Sequence, residues 1–259
     1  MCLVVIYVCR KSGSTSECFL KPSLSLALFF NHFICKTDFR ASIYTLSFNV
    51  IIIIMTKSEL RKYIKTKLVE NKQEFASESA GICNKILAEN WFKEAALVLA
   101  YMPLPDEVDV LSVIKAVMAG GKKVAVPRVE VQNTLPVGDK GKVQNQMHFY
   151  YLDDESELNA QVESGYCGTN EPKTSKKQFS SGDDFDSVLV LVPGRAFTEK
   201  GARLGRGKGF YDVFLKQLQE ECKAAGKKVH TIGVCFSCQL VESLPTEQND
   251  VFVDMIVSP

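Results

Sequence analysis

Residues 187–218, SVLVLVPGRAFTEKGARLGRGKGFYDVFLKQL, leave few folds open. They begin with an unbroken apolar run that ends at Pro193. A strand without polar alternation must be covered on both faces, as in a parallel sheet packed between helices. A loop rich in glycine and cations comes next, and a helix starts near Gly209 and ends at Gly226. In an open α/β sheet, ligands bind beyond the carboxyl ends of the strands. A helix N-terminus offers unpaired N–H groups and a partial positive charge, which suit a phosphate. Arg206 can grip a phosphate through two parallel hydrogen bonds, and Lys208 adds a point charge that can follow a moving phosphoryl group. Asp212, in the first helical turn, is placed to hold a Mg2+ that bridges phosphate oxygens. The loop fits neither standard phosphate signature. Lys208 is followed by Gly209 rather than Ser or Thr, and the glycine spacing is GxGxG rather than GxGxxG. A solvated glycine turn before a helix is the bland alternative.

The rest of the chain from residue 55 repeats the same rhythm. Thr56 or Ser58 caps a first helix, in which Leu60, Ile64 and Leu68 recur at spacing four. A second helix fits residues 76–90. AALVLAYMP (95–103), KKVAVP (122–127), MHFYYL (147–152), VHTIGVCF (229–236) and VFVDMIV (251–257) read as strands. VDVLSVIKAVMAG is a helix stopped by Gly120 and Gly121. Strands alternating with helices predict one three-layer α/β/α domain with a mostly parallel sheet over residues 55–259. The polar residues 153–182 break the rhythm and read as a mobile loop or an insertion.

The chain has 259 residues and a net charge of +1, so no global field steers it toward nucleic acid or an anionic membrane. Any anion recognition is local. The first 54 residues differ in character from the remainder of the chain: Glu17 and Asp38 are their only acids. Their apolar runs fall short of the ~18–20 residues that a membrane span needs. They read as a mispredicted or alternative extension before a start at Met55, as a targeting segment, or as a structured addition. Cys235 and Cys238 form a lone CxxC. With only three histidines in the chain, ordinary packing is the expectation for this pair.

PGRAFTEKGARLGRGKGFYDVFL closely resembles the signature of the 5-formyltetrahydrofolate cyclo-ligase (methenyltetrahydrofolate synthetase) family, and the resemblance runs over most of residues 56–257. Thr198 replaces the family's usual Asp, and Arg195 is an unusual residue after the Pro-Gly pair. The resemblance implies that Lys57 and Arg61 contact ATP from the first helix, where spacing four puts them on one face. It implies a nucleotide site over Arg203, Leu204, Gly205, Arg206, Gly207, Lys208, Gly209, Phe210 and Tyr211. Met102 and Glu107 in YMPLPDEVDV match the family's folate-binding segment, with Glu107 on the pterin. Arg206, Gly207, Lys208, Gly209 and Phe210 border that substrate as well. Arg128 in VAVPRV would lie near the site, and MHFYYL with GTNEP would border the folate. Asp250 would join Asp212 at Mg2+, with Asp254 structural or in contact with the site.

The implied reaction is ATP-dependent closure of 5-formyltetrahydrofolate to 5,10-methenyltetrahydrofolate, with ADP and phosphate as the other products. It needs positioning and charge stabilisation rather than a protein nucleophile, with Lys208 and Arg206 on the transferring phosphate. Phe210 and Tyr211 would flank a planar ring. The implied protein is a cytoplasmic monomer, or mitochondrial if residues 1–54 are a transit segment. It acts on a small folate with or without a polyglutamate tail, and binds neither nucleic acid nor membrane. Two rivals are an enzyme that binds a sugar phosphate or nucleotide without transferring phosphate, and a non-enzymatic RNA- or nucleotide-binding module.

Overall fold

The computed structural model describes residues 3–12, 15–19, 42–46, 50–130, 146–153 and 158–259. Ahead of the first helix, β1 (Leu3–Ser12), β2 (Thr15–Phe19), β3 (Ser42–Leu46) and β4 (Val50–Met55) pair antiparallel in the order β2-β1-β4-β3. This sheet is separate from the six-stranded one built by the rest of the chain.

Helix α1 (Lys57–Glu70) starts at a capping box, in which the Thr56 hydroxyl accepts the Glu59 N–H and the Glu59 carboxylate accepts the Thr56 N–H. Its buried stripe is Leu60, Ile64 and Leu68. α2 (Phe75–Ala88) ends earlier than the periodicity predicts. Glu89 turns extended, and the short α3 (Asn90–Glu94) comes after it. Strand β5 (Leu97–Leu99) leads through α4 (Leu111–Ala119) to β6 (Lys123–Glu130), which turns back into β7 (Gln146–Leu152). β10 (Ser187–Pro193) leads through α6 (Phe210–Ala224) to β13 (Lys228–Val234), and β14 (Met255–Val257) closes the sheet.

The six-stranded order is β14-β13-β10-β5-β6-β7, parallel throughout except for β6 against β7. β10 shows why its sequence is uniformly apolar. Val188, Val190 and Val192 pack on the α6 side with Leu215, Leu218 and Cys222. Leu189 and Leu191 face α1, α2 and α4 through Ile64, Ile82, Ile114 and their neighbours. Each fully buried leucine contributes roughly 1.5–3 kcal/mol.

Two expectations change. Residues 158–182 are not a structureless loop. Beyond α5 (Leu158–Gln161), β8 (Val162–Ser164) and β9 (Asn170–Pro172) form an antiparallel hairpin. Buried Glu171 ties that hairpin to β6 by accepting the Val129 N–H at 3.3 Å. Residues 154–157 of the polar stretch lie outside the described residues. The last predicted strand shortens to Met255–Val257, because Val251 and Val253 spend their backbone groups on the glycine loop and α6.

Candidate active site

β5 crosses over to β6 on one side of the sheet, and β10 crosses over to β13 on the other. The switch point therefore lies between the carboxyl ends of β5 and β10, where an α/β sheet opens a crevice. A cleft of 1740 Å³ occupies that position. The segment after β5, from Tyr101 to Glu107, lines one side. The loop after β10 and the start of α6 line another, α1 a third, and Tyr166 with Thr169–Glu171 of the hairpin region complete it.

The glycine loop is held by local geometry. β11 (Ala196–Phe197) pairs with β12 (Arg203–Leu204) in a two-residue ladder. At the turn between them, the Thr198 hydroxyl accepts the Ala202 N–H at 3.1 Å. Gly201 has φ +83°, and a Cβ there would lie 2.1 Å from the Val253 carbonyl oxygen. Gly209 takes φ +74° as the N-cap of α6, and no side chain caps the helix. The N–H groups of its first turn thus face the cleft end without a side-chain acceptor.

The cations of the site fall into two groups. Arg61 donates through Nε to the Gly205 carbonyl at 2.8 Å, and neither it nor exposed Lys208 has an acidic partner among the described residues. Arg203, Arg206 and Lys57 are each paired. Arg203 is almost fully buried and donates through Nη2 to Asp212 Oδ1 at 2.7 Å. It also lies over the Tyr211 ring, 5.6 Å from its centroid. Arg206 reaches across the crevice. Its Nε and Nη2 donate to Glu107 Oε1 at 3.0 and 2.8 Å, and Nη2 also reaches Asp106 Oδ1. Arg195, the atypical residue after the Pro-Gly pair, donates to the other oxygen of Asp106. Burial pushes the Asp106 carboxyl up, but Arg206 and Arg195 outweigh it and hold the group below the usual carboxylate range. Lys57 Nζ contacts both oxygens of Asp250, at 2.9 and 2.7 Å.

Phe210 meets Tyr166 edge to face in the cleft lining, with centroids 6.0 Å apart. Tyr211 is packed deeper, edge to face with Phe149. Burial raises its hydroxyl far above the ordinary tyrosine range, with the Glu107 charge adding to the effect. Tyr211 Oη and Arg203 Nε are buried polar atoms without a protein partner among the described residues. Both sit where the loop becomes the helix.

The acids suit a hard divalent ion. Asp212 and Asp250 are brought together, since the N–H of Val251 donates to Asp212 Oδ1 at 3.3 Å. Mg2+ commonly takes one or two carboxylates and completes its shell with substrate phosphates and water. Asp212 Oδ2 has no protein partner among the described residues, while Asp250 is engaged by Lys57. The donor set fits Mg2+.

The nucleotide, folate and metal residues assigned from the sequence line this one cleft, from Lys57, Arg61, Met102 and Glu107 through Arg203–Asp212 to Asp250. Arg128 does not line it. It is drawn to the hairpin, donating to Glu163 Oε1 at 2.7 Å and to the Pro172 carbonyl at 2.8 Å. Asp254 accepts both the N–H and the hydroxyl of Thr231 at 2.8 Å, a strand-end role. Cys235 is fully buried, and burial pushes its thiol up to about 12. Sequence reasoning passed over Asp106 and Arg195. The signal for Asp106 was an acid directly before Glu107, and for Arg195 an unexplained cation beside a phosphate loop.

The 5-formyltetrahydrofolate cyclo-ligase family model matches residues 53–259. A probable 5-formyltetrahydrofolate cyclo-ligase of Caenorhabditis elegans is 28% identical, over 78% of this chain and 91% of its own. The mitochondrial 5-formyltetrahydrofolate cyclo-ligase of Arabidopsis thaliana is also 28% identical, over 70% of this chain and 66% of its own. The NMR structure of Aquifex aeolicus 5,10-methenyltetrahydrofolate synthetase superposes with a TM-score of 0.58 at 28% identity, covering 78% of this chain and 89% of that one. Among the described residues no helix is long and apolar enough to cross a membrane. The matched span contains the whole six-stranded sheet and every wall of the cleft, and the chain is an enzyme belonging to the 5-formyltetrahydrofolate cyclo-ligase family.

Proposed function

We propose that this chain converts 5-formyltetrahydrofolate and ATP to 5,10-methenyltetrahydrofolate, ADP and phosphate. One observation carries the reading: the glycine loop that opens α6 and the Met102–Glu107 segment face each other across a single cleft at the switch point. That arrangement supports a phosphate site and a site for a planar, amide-rich ring sharing one space.

The formyl oxygen on N5 is a poor leaving group. In the proposed sequence it attacks the γ-phosphorus and ADP departs. N10 then adds to the activated formyl carbon, that oxygen leaves as phosphate, and N10 gives up its proton. The chain's part is positioning and charge stabilisation. Lys208 and Arg206 meet the transferring phosphoryl group, Lys57 and Arg61 hold the nucleotide from α1, and the α6 N–H groups take phosphate oxygens. Glu107 accepts from the amino and ring N–H donors of the pterin, beside Met102. Phe210 offers a planar face. Asp212 and Asp250 would hold Mg2+, which when bound neutralises phosphate charge. The unpartnered Tyr211 Oη and Arg203 Nε support a ligand at the loop–helix junction.

The enzyme acts as a monomer in the cytoplasm, with the mitochondrion as the alternative if residues 1–54 direct it there. The test is absorbance at the methenyl-folate band with 5-formyltetrahydrofolate and Mg2+, with and without ATP. An ATP-dependent rise is expected. No rise from folded protein that still binds ATP would reduce the loop to a phosphate cradle.

A further inference from the structure

Arg206 occupies a position that neither proposed ligand can share with it. Both of its donors to Glu107 fall on Oε1, and the other Glu107 oxygen accepts the Leu104 N–H at 3.1 Å. The guanidinium therefore presents to Glu107 the paired N–H donors that a pterin would present. Conversely, Glu107 and Asp106 present to Arg206 the clustered anionic oxygens that a phosphate would present. Each side of the pair stands in for the other side's ligand.

The two partners are not equally fixed. The Glu107 side chain is 10% exposed and is anchored to its own turn, whereas Arg206 is 35% exposed on a loop between Gly205 and Gly207. The arginine is the partner that moves. Asp106 does not follow it, because Arg195, only 14% exposed, keeps hold of its second oxygen. When Arg206 leaves, one acid stays neutralised and the other is opened to the cleft.

Resting on the function proposed above, we propose that Arg206 exchanges Glu107 for the nucleotide's phosphate, so that nucleotide and folate each tighten the binding of the other. Whichever ligand arrives first breaks the Arg206–Glu107 pair, and the second finds its own partner already released. The coupling is reciprocal by linkage, and a pair this exposed calls for a factor of roughly 10, within the usual 5–150-fold span. Arg206 is thereby a gate between the two halves of the site as well as a phosphate ligand.

Calorimetric titration of 5-formyltetrahydrofolate into the full chain, with and without a saturating non-hydrolysable ATP analogue and Mg2+, tests this. In the wild type the analogue tightens folate binding about 10-fold, and folate tightens the analogue by the same factor. Arg206→Gln binds folate without nucleotide more tightly than the wild type does, and its coupling factor falls to near one. Asp106→Asn, which keeps both proposed ligand contacts, lowers the factor part of the way. Wild-type folate affinity that ignores the analogue overturns the proposal, as does coupling that survives undiminished in both variants. Failure of folate to bind the wild type under any condition overturns the functional reading itself, and this inference with it.

Discussion

Lys208 offers a clean separation of catalysis from folding. It is exposed and has no acidic partner among the described residues, so replacing it by alanine removes no contact that holds the fold. Stability should change by no more than about 0.5 kcal/mol, as for a surface site. Its effect on the reaction should be far larger. A unit charge about 4 Å from a transferring phosphoryl group is worth ~1 kcal/mol in bulk water and ~4 kcal/mol at the effective dielectric of a protein surface. A cleft walled by four segments of the chain sits toward the second value. Lys208→Ala should therefore lose about 3 kcal/mol of transition-state stabilisation, or at least ~100-fold in kcat/KM. Lys208→Arg should recover part of the loss, since it restores the charge without the point geometry. Initial rates of methenyl-folate formation over a grid of both substrates, beside thermal melts of each variant, give the answer. A near-normal rate in Lys208→Ala would remove the residue from the mechanism. A melting shift that accounted for the lost activity would turn it into a structural residue.

The geometry sets three further outcomes. Lys57→Ala should bind Mn2+ more tightly than the wild type in the absence of nucleotide, read by electron paramagnetic resonance, because Asp250 loses the ammonium that occupies both its oxygens. An unchanged Mn2+ affinity would detach Asp250 from the metal. Gly201→Ala should cost more than about 2 kcal/mol in urea unfolding, since the left-handed backbone alone costs roughly 1–2 kcal/mol for an L-residue and its Cβ meets the Val253 carbonyl. A chain beginning at Met55 should keep full turnover and melting temperature. It retains the Thr56 capping box and every cleft residue, and loss of folding would make residues 1–54 part of the domain.

Local patterns were the readable ones. β10 and the loop after it announce themselves because burial on two faces, glycine at positive φ and a helix start are all written in consecutive residues. The same holds for α1, whose cap and stripe lie within fourteen positions. The hairpin of β8 and β9 escapes a sequence reading because each strand has three residues and is held by contacts from β6, such as Glu171 to Val129, rather than by its own apolar pattern. Arg128 is expected near the site from the family resemblance, and its neighbours Pro127 and Val129 do line the cleft, but Glu163 and Pro172 of that unforeseen hairpin claim its guanidinium. The charge pairs are invisible for a related reason. Arg206 meets Glu107 across 99 residues, and no spacing rule joins them. Residue types foretold which groups would line the cleft, but not that Arg206 and Lys57 would pair with Glu107 and Asp250.

The contact between Lys57 and Asp250 also sets a clock. Their separation is 193 residues, so at about 5–20 residues per second a ribosome needs about 10–40 s to make the second after the first. For most of that interval α1 has its leucine and isoleucine stripe and its cleft-lining Lys57, Arg61, Lys62 and Lys65 but not the glycine loop, and for all of it Asp250 is missing. A chain arrested inside that interval carries the cations of α1 without the acid that pairs with Lys57.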